Sequence, residues 1–395
     1  MEPMNNTMNM PFEDIITDHD TLHELVNGPK KLTIKWGADP SAPDLHLGHA
    51  VILKQLAKLQ DMGHHVLFII GDFTARIGDP TGKSTTRRPL SEADVKQNAT
   101  TYLNQVFKLL DEKKTTIHYN STWLNTLSTT DIISLCSKIT VARMLERDDF
   151  SKRFKTNSPI GIHEFLYPLL QGYDSVHLNN DIEIGGTDQK FNLLVGRQLQ
   201  KDAGLSPQSI LTCPILEGLD GTQKMSKSLN NHIGILDSPN DMFGKCMSIP
   251  DELILRYFKL VTNTLASELS AIETQLNNGE NPRNIKLVLA TTIVSEFHSS
   301  KDASLAKENF INVFSKKAMP NDIPELQISH SEPIHLINFI CEQQLAPSKK
   351  EARRLLDQGA ISINDQRISN PAHEFTPKNN TIIRVGKRKF LKLIS

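Results

Sequence analysis

The stretch LTIKWGADPSAPDLHLGHAVILKQLAKLQDMGHHVLFII, residues 32–70, has two short extended segments with a segment of helical apolar spacing between them. Residues 32–36 suit a strand, and residues 47–62 carry apolar side chains at helical spacing before a stop at Gly63. Residues 66–70 are a continuous apolar run of strand length, which is typical of a strand covered on both faces of a parallel sheet. The stretch therefore predicts a strand, a helix and a second strand parallel to the first.

The alternation of helical and extended segments continues to about residue 219, so we expect an α/β domain with a doubly wound parallel sheet. Such a sheet binds ligands beyond the carboxyl ends of its strands. Residues 238–314 instead predict helices with little strand signal, including 251–261 and 284–297. A polar, proline-containing connection at 318–332 follows.

The last part of the chain predicts a short unit of helices followed by strands. Its expected elements are helices at 334–343 and 348–358, the second opened by Ser348 and Glu351 as a capping pair, and strands at 361–363 and 381–385. We expect three domains, which are an α/β domain at 1–229, an α-helical domain at 230–328 and a small α+β module at 329–395.

Composition narrows the class of protein. With 38% hydrophobic and 23% charged residues, the chain reads as a soluble globular protein, and no apolar run approaches the length of a membrane span. The first residues lack the basic and apolar regions of a secretory signal, so we expect a cytoplasmic protein. Four widely separated cysteines argue against a zinc site or a disulfide framework and are expected to be buried thiols, namely Cys136, Cys213, Cys246 and Cys341.

Charge is distributed unevenly along the chain. The net charge is −1, but residues 331–395 hold 11 Lys and Arg against 6 Asp and Glu. This basic end is a candidate polyanion-binding module, although a solvated basic face is the plainer interpretation. The candidate RNA-binding residues are Lys349, Lys350, Arg353 and Arg354 on one predicted helix, with Lys387 and Arg388 near the end.

Residues 78–84, GDPTGKS, imitate a phosphate-binding loop. Their glycines are separated by three residues, where the true motif has four, and the predicted strand before them ends at residue 70. The next helix is expected near Ser91, so no helix is predicted to begin directly after these residues, whereas a phosphate-binding loop requires one. An ordinary polar turn is the alternative, but it leaves the crowding of Lys83, Arg87 and Arg88 without explanation.

Two other segments fit a bound nucleotide better. His46 and His49 lie on one side of the first helical turn after the first strand, and Gly48 between them allows close approach of a ligand. Imidazoles at a helix N-terminus suit hydrogen bonds to phosphate, although a metal pair or two surface histidines remain alternatives. The second segment, KMSKS at 224–228, carries two lysines on a predicted loop, which by itself is also typical of a solvated loop.

The pair of motifs, HLGH and about 180 residues later KMSKS, resembles the two signatures of class I aminoacyl-tRNA synthetases. The resemblance runs from about residue 32 to the C-terminus and is closest to the bacterial-type tyrosyl-tRNA synthetases. It includes the segments WGADP at 36–40, IGDPTGK at 77–83, YPLLQGYD at 167–174 and IGGTDQ at 184–189. It implies a Rossmann-type catalytic domain, an anticodon-side helical domain and a small RNA-binding module like one in a ribosomal protein.

The resemblance implies a reaction in two steps. Tyrosine and ATP give tyrosyl-adenylate and pyrophosphate, and the tyrosyl group then passes to the 3′ end of tRNA(Tyr). Such a phosphoryl-centre reaction needs placed donors and cations more than a protein nucleophile. Magnesium is expected only as the complex with ATP, no metal site built by the protein is identified, and the family implies a homodimer.

The resemblance also implies roles for particular residues. The catalytic set comprises His46, Gly48, His49, Lys224, Lys227, Lys83 and Arg87, of which the lysines and arginine face the pyrophosphate. ATP would further meet Asp39, Ser41, Gly186, Asp188, Met225, Ser226 and Ser228, with Gly186 and Asp188 at the ribose. Tyrosine would meet Gly37, Asp79, Tyr167, Gln171, Gln189 and Asp174.

Within the tyrosine set, Asp174 matches the carboxylate that receives the substrate hydroxyl. Phenylalanine would leave that carboxylate desolvated and unpaired, which favours tyrosine. One position departs from the pattern, because Lys35 stands where a family member can carry a tyrosine as a second partner for the hydroxyl. Its role is left open by the sequence.

Three other functions compete with this interpretation. A tryptophanyl-tRNA synthetase shares the core but usually lacks a basic C-terminal module, and Tyr167, Gln171 and Asp174 favour a phenol. A small-molecule nucleotidyltransferase would not explain two appended domains. A non-catalytic RNA-binding relative would have little reason to retain both signature motifs.

Overall fold

The computed structural model describes residues 10–40, 44–80, 92–315, 323–328, 333–364, 366–386 and 389–394. The chain divides into two units, Met1–Lys307 and Glu308–Ser395. The expected division into three domains is finer than this and stays a prediction.

A six-stranded sheet forms the centre of the first unit. Its strands are β1 (Asp14–Ile16), β2 (Thr33–Ala38), β3 (His65–Ile70), β4 (Thr115–Tyr119), β5 (Ile182–Gly186) and β6 (Ser209–Cys213). Their order is β1-β6-β5-β2-β3-β4, and all neighbours are parallel except β1, which runs antiparallel to β6. The strand order reverses between β2 and β5, and this reversal creates the crevice at which doubly wound sheets bind ligands.

The predicted strand, helix and parallel strand at residues 32–70 are confirmed. β2 and β3 pair in register from Thr33 opposite His65 to Ala38 opposite Ile70. α2 covers Leu47–Asp61 and begins after His46, and the chain turns at Gly63 with a φ of 99°. That left-handed conformation explains why the helix ends at a glycine.

Helices cover the sheet and continue beyond it. The helices before the last strand of the sheet are α1 (Leu22–Asn27), α2, α3 (Thr74–Ile77), α4 (Glu92–Val106), α5 (Ser121–Leu124), α6 (Thr129–Cys136), α7 (Val141–Met144), α8 (Asp148–Lys155), α9 (Ile162–Leu178) and α10 (Lys190–Asp202). α9 and α10 pack closely because Gly172 meets Gly196, where an added Cβ on Gly172 would lie 3.1 Å from the Gly196 nitrogen. This contact fixes the helix that carries three of the predicted tyrosine-binding residues.

The helical region that follows the sheet agrees with the predicted pattern. It contains α11 (Pro239–Cys246), α12 (Ile254–Val261), α13 (Ala266–Asn277), α14 (Pro282–Phe297) and α15 (Ser300–Ser315). The predicted helix at 251–261 opens with a 3₁₀ turn at Asp251–Leu253, and the helix predicted from 284 begins two residues earlier. None of the helices in the described ranges is long and apolar enough to cross a membrane.

The second unit packs helices α16 (Leu336–Glu342) and α17 (Lys349–Asp357) on small sheets. The strands are β7 (Glu325–Gln327), β8 (Ile334–His335), β9 (Ile361–Ile363), β10 (Gln366–Arg367), β11 (Glu374–Phe375), β12 (Thr381–Val385) and β13 (Lys389–Ile394). The main sheet has the order β10-β9-β12-β13-β7, and β11 pairs with β8. Ser348 caps α17 through its hydroxyl oxygen, which accepts the Glu351 N–H at 3.2 Å, as predicted.

Three details of the sequence interpretation were wrong. The helix predicted at 334–343 starts at Leu336, because residues 334–335 pair with β11. The polar connection contains β7, which is held by parallel pairing with β13 at the chain end. All four cysteines are free, and Cys213 and Cys246 are buried, but Cys136 and Cys341 are partly exposed.

Candidate active site

The site lies at the carboxyl edge of the sheet, where the strand order reverses. Asp39 follows β2, His46 precedes the first turn of α2, and Asp188 follows β5. Parallel strands bring these three chain segments together although up to about 150 residues separate them in the sequence. Two groups of side chains meet here, one at the start of α2 and the other on α9.

The two histidines of HLGH form one hydrogen-bonded unit. The His46 backbone N–H donates to Nδ1 of His49 at 3.2 Å, and the ring centroids are 4.0 Å apart. Nδ1 of His49 is thereby the acceptor, so Nε2 carries the ring proton. Burial, aided by the charge of Lys224, lowers the pKa of His49 to about 4. A neutral imidazole with an outward N–H can donate to a phosphate oxygen.

His46 is more deeply buried than its partner. Burial first, and then the nearby rings of His49 and His232 and the charges of Lys224 and Lys227, hold the pKa of His46 far below its usual range. Its Nδ1 atom is buried and has no hydrogen-bond partner within the described part of the chain. His232 lies nearby with a ring centroid 6.4 Å away, and its Nδ1 is also buried and without a described partner. His232 was not predicted from the sequence, because no local pattern marks it as a neighbour of HLGH.

Gly48 is required by the packing of this turn. A Cβ atom there would lie 3.0 Å from Nδ1 and Cε1 of His46 and 3.8 Å from Cβ of Met225. The glycine therefore allows the His46 ring and the KMSKS loop to approach the same helical turn.

Both lysines of the KMSKS loop are engaged in ion pairs. Lys224 pairs with Asp188, and Lys227 pairs with Asp44, a residue that the sequence interpretation missed. Met225 is buried, and its N–H donates to the Leu216 carbonyl at 2.9 Å. The Ser226 and Ser228 hydroxyls lie 2.8 Å apart. The loop is thus ordered against the sheet edge by alternating charged and buried contacts.

Asn231 anchors the loop and was also missed. Its Oδ1 accepts the Ser226 N–H at 2.8 Å, and its amide donates to Asp220 at 2.6 Å. The chain after it joins α2 directly, since the Leu47 N–H donates to the Ile233 carbonyl at 2.9 Å. These contacts link the two signature motifs into one structure. No local pattern marks an asparagine as an anchor, because its partners are set by the fold.

The second group of side chains lines α9. Tyr167, Gln171 and Asp174 are spaced by four and three residues and so share one face of the helix. The Tyr167 hydroxyl donates to Asp39 at 2.9 Å, so Asp39, expected in the ATP set, lies beside the tyrosine set. The Gln189 amide donates to Asp79 at 2.7 Å. These two bonded pairs are part of a polar network around the predicted tyrosine residues.

Asn192 completes this network and had no sequence signal. Its amide donates to Oε1 of Gln171 at 2.9 Å and to Oε1 of Gln189 at 3.1 Å. Arg147 holds the Asn192 carbonyl at 3.1 Å and pairs in bidentate fashion with Asp149 at 2.6 and 2.8 Å. Gly37, on β2, is exposed at the same edge, where an added Cβ would meet only Ile69.

Asp174 is a buried carboxylate at the base of this face. Trp123 Nε1 donates to one of its oxygens at 2.8 Å, and the Asn120 amide donates to the other at 3.3 Å. Burial raises the pKa of Asp174 to about 7, against the charge of Lys35 and these two hydrogen bonds. A carboxylate held in this way can accept a hydrogen bond from a neutral hydroxyl group.

Several predicted residues remain to be placed. Ser41, Lys83, Arg87, Lys387 and Arg388 lie outside the described residues. Gly186 ends β5, where an added Cβ would lie 2.5 Å from Oδ1 of Asp188. Gly78, the first residue of the GDPTGKS motif, does not follow a strand, because α3 lies between it and β3, so the motif lacks the context of a phosphate-binding loop.

The basic residues of α17 form the candidate RNA-binding face. Lys349, Lys350, Arg353 and Arg354 are exposed, while Ala352 and Leu356 bury the opposite side. Arg354 forms two hydrogen bonds to Glu351, at 2.8 and 2.6 Å, so part of its charge is neutralised locally.

The fold and the linked motifs define a class I aminoacyl-tRNA synthetase. A family model described as "tRNA synthetases class I (W and Y)" matches residues 27–315. A second, described as "Tyrosine--tRNA ligase SYY-like C-terminal domain", matches residues 315–393.

Comparison with individual proteins gives the particular family. The chain is 50% identical over 383 residues to tyrosine–tRNA ligase 2 of Pseudoalteromonas translucida, covering 96% of each chain. It is 50% identical over 381 residues to the tyrosine–tRNA ligase of Haemophilus influenzae, covering 96% of this chain and 94% of that protein. The chain belongs to the tyrosine–tRNA ligases. This confirms the predicted family and enzyme class, and the tryptophanyl alternative is less supported.

Solved structures agree with the fold. A C-terminally truncated mitochondrial tyrosyl-tRNA synthetase of Aspergillus nidulans has a TM-score of 0.64 and 24% identity, covering 78% of this chain and 92% of that chain. The tyrosyl-tRNA synthetase of Archaeoglobus fulgidus, complexed with L-tyrosine, has a TM-score of 0.61 and 22% identity, covering 76% and 99%. The α/β fold class is thereby confirmed, and ATP is a substrate of the family.

Proposed function

We propose that this chain attaches L-tyrosine to tRNA(Tyr) in two steps, through tyrosyl-adenylate, at the carboxyl edge of β2 and β5. The observation that carries the proposal is the junction of two groups of side chains at this edge. One is the HLGH turn linked to the KMSKS loop, and the other is the polar face of α9 that ends at Asp174. The first suits a triphosphate and the second suits an amino acid with a polar tip.

The first step joins the tyrosine carboxylate to the α-phosphorus of ATP and releases pyrophosphate. Negative charge builds on the phosphate oxygens, so fixed donors and cations lower the barrier. His46 and His49 act as neutral donors, supported by the burial that keeps both rings unprotonated. Lys224 and Lys227 exchange their carboxylate partners, Asp188 and Asp44, for pyrophosphate oxygens.

This exchange suits a loop that closes over its substrate. Both lysines are already held near the site by ion pairs that are at least partly exposed to solvent. Such pairs contribute little stability, about 0 to 1 kcal/mol, so phosphate can displace them readily. Lys83 and Arg87 are proposed to face the same pyrophosphate, and Ser41 the phosphates, on the strength of the family pattern alone. Release of Asp188 from Lys224 then frees its carboxylate for the ribose, beside Gly186.

Tyrosine lies along α9 in this proposal. Asp79, Tyr167 and Gln171 hold the ammonium group, with Gln189 and Gly37 beside them, and the bonded pair of Tyr167 and Asp39 fixes the entrance. The hydroxyl of the substrate meets Asp174. Phenylalanine would desolvate that carboxylate without a partner, a cost of about 1 to 3 kcal/mol or more because the group is charged.

Magnesium enters as the complex with ATP. Its ligands are then phosphate oxygens and water, the oxygen ligands that Mg²⁺ prefers. In the described ranges no three His, Cys, Asp or Glu side chains are grouped to hold a metal ion. We also propose a cytoplasmic location, where ATP and tRNA are available.

The basic face of α17 is proposed to bind the tRNA. Lys349, Lys350 and Arg353 are exposed and project from one short helix. Contacts of this kind go to phosphates, so they add affinity that falls with salt and little base preference.

A homodimer is proposed from a group of exposed apolar side chains on consecutive helices. Ile133 is 65% exposed, Val141 62%, Phe154 63% and Ile162 83%. They lie on α6 to α9, within about 30 residues. Large apolar residues concentrated on one region mark an interface, and a second copy of the chain is the partner that the family implies.

Exchange of labelled pyrophosphate into ATP, dependent on the added amino acid, tests the activity. We expect tyrosine to support exchange and tryptophan to fail. Asp174→Ala should weaken tyrosine use far more than ATP binding. If tryptophan and not tyrosine supports exchange, the tryptophanyl alternative is favoured. If neither amino acid supports exchange, an RNA-binding protein without catalysis is favoured. If Asp174→Ala weakens tyrosine binding and ATP binding equally, the proposed role of Asp174 is wrong.

A further inference from the structure

A buried ion pair lies behind the proposed tyrosine pocket, and the reaction described above does not use it. Lys35 on β2 and Glu183 on β5 are 1% and 2% exposed in their side chains, and Lys35 Nζ lies 2.8 Å from Oε1 of Glu183. The two residues are direct neighbours in the register of β2 and β5. They therefore occupy the point at which the strand order reverses.

The ammonium group of Lys35 has no hydrogen left for a substrate. Besides Glu183, it donates to the Ser175 hydroxyl at 2.6 Å and to the Gln171 carbonyl at 3.1 Å. An ammonium has three donors, and all three are used by the protein. A direct hydrogen bond from Lys35 to the substrate hydroxyl would break one of these contacts inside a buried site, which is costly. The residue acts on the pocket indirectly.

Its partners determine where it acts. Ser175 and Gln171 belong to α9, one directly after Asp174 and the other three residues before it. Glu183 is itself fixed, because its Oε2 accepts from Ser175 Oγ at 3.1 Å and from the Gln208 amide. The network thus attaches the segment of α9 that carries Asp174 to the centre of the sheet.

The charges around Asp174 come from three elements. Lys35 on β2 supplies the positive charge, while Glu183 on β5 and Tyr167 on α9 are the acidic groups that interact with it. Asn120 and Trp123 contribute uncharged donors. The histidines of this region, His118 and His177, pack against the Trp123 indole, with ring centroids 6.1 and 4.4 Å away.

The geometry points to Lys35, held by Glu183, as a positioning residue for substrate selection, which through its bonds to Ser175 and the Gln171 carbonyl holds Asp174 in place to receive the tyrosine hydroxyl. This inference rests on the proposed role of Asp174. Burial favours the neutral carboxylic acid, and the nearby ammonium favours the carboxylate. Without the ammonium, Asp174 would bind a proton more readily and would accept the hydroxyl less well.

The test measures the ratio of kcat/KM for tyrosine to that for phenylalanine, in pyrophosphate exchange, from about pH 6 to about pH 9. Both amino acids carry the same ammonium and carboxylate groups and react at the same ATP site. The titrations of these common groups therefore cancel in the ratio, and what remains is the pH dependence of the contact with the tyrosine hydroxyl. The decisive variant is Lys35→Met with Glu183→Gln, which removes both charges and leaves no unpaired buried charge. Lys35→Arg keeps the charge.

We expect the ratio of the wild-type chain to fall as pH falls through the pKa of Asp174. The double variant loses the ammonium that lowers the pKa of Asp174 and the Glu183 carboxylate that raises it, and the ammonium has the larger effect. The midpoint of the fall in the ratio should therefore move up by less than about one pH unit, so that selection near neutral pH drops by a few-fold, up to about 10-fold. KM for ATP should stay unchanged. Lys35→Arg should restore the midpoint toward that of the wild type. A role in stability alone would lower the melting temperature and leave the midpoint where it is.

Lys54 and Glu296 provide the matched control. They form a second ion pair of the same types, with 7% and 19% exposed side chains, between α2 and α14. Lys54→Met with Glu296→Gln should leave the midpoint unchanged. The inference is overturned if the Lys35 and Glu183 variant keeps the wild-type ratio and midpoint while Asp174→Ala abolishes selection. If Asp174→Ala also keeps the wild-type selection of tyrosine over phenylalanine, both the inference about Lys35 and the proposed role of Asp174 are wrong.

Discussion

Gly48 lies against the imidazole of His46, where a Cβ atom at position 48 would stand 3.0 Å from the ring atoms Nδ1 and Cε1. His46 is the first residue of HLGH and Gly48 is the third. The glycine of this motif is therefore required by packing, in addition to the chemistry of the histidines. A larger residue must displace the ring that we assign to the ATP phosphates.

Gly48→Ala should lower kcat for pyrophosphate exchange by up to about 10-fold, since the His46 ring must move by a few tenths of an ångström and a misplacement of about 1 Å costs up to about two orders of magnitude. KM for tyrosine should change little, because α9 is not involved. The control is Gly244→Ala in α11, where an added Cβ meets nothing within 4 Å. Equal activity of Gly48→Ala and wild type would show that the His46 ring has no placed role.

The protonation of His49 can be measured directly. Burial and the charge of Lys224 lower its pKa to about 4 from the ordinary value of 6.5, so the ring should stay neutral near neutral pH. NMR of labelled histidine should show no titration of this ring above about pH 5. A midpoint near the ordinary value would contradict the proposed neutral donor.

The same shift affects stability. Between the unfolded and folded pKa values of His49, the unfolded chain binds more protons, so the free energy of unfolding should fall as pH falls from 6.5 toward about 4. His49→Gln should show a shallower fall in denaturant titrations, by about one proton in the linkage slope. Parallel curves for the two proteins would show that His49 contributes nothing to the acid sensitivity.

Removal of the basic residues of α17 should affect tRNA binding and leave tyrosine activation unchanged. For Lys349→Ala with Lys350→Ala and Arg353→Ala, we expect the slope of log affinity against log salt to fall by about two, at ~0.7 per phosphate contact. Arg354→Ala should act less, because Glu351 already neutralises part of that charge. Lys201→Ala on α10 is the control for an exposed lysine elsewhere. An unchanged slope in the triple variant would exclude this face from tRNA binding.

The apolar residues of α8 and α9 should hold two copies together. Phe154→Asp with Ile162→Asp should convert the chain to a monomer in sedimentation measurements, because charges in an apolar interface are costly to desolvate. Leu265→Asp is the control, since Leu265 is equally exposed, at 63%, but lies outside this group. A dimer that survives the double change, or a wild-type chain that is monomeric, would contradict the proposed interface.

Local patterns in the sequence were enough to predict the class of fold and the sheet edge at which the two signature motifs lie. The apolar run at 66–70 and the helical spacing at 47–62 are local patterns, and each forms its element almost where predicted. The signature motifs are likewise local, because each consists of neighbouring residues. Strand order then brings them to one edge, which is a general property of parallel sheets.

Which side chains form hydrogen bonds and ion pairs with one another is set by the tertiary structure. The sequence leaves the role of Lys35 open, and its buried partner Glu183 lies about 150 residues away, opposite it in the register of β2 and β5. Asn231 and Asn192 have no distinguishing pattern around them, yet one anchors the KMSKS loop and the other links Gln171 to Gln189.

The strand β7 has the same explanation in the second unit. Three residues in a polar connection become a strand because β13 supplies their hydrogen bonds. A short segment has too few side chains to specify its own conformation, so its structure depends on a partner distant in the sequence. Elements with their own periodicity are therefore readable from the sequence, whereas pairings and buried polar networks exist only once the chain has packed.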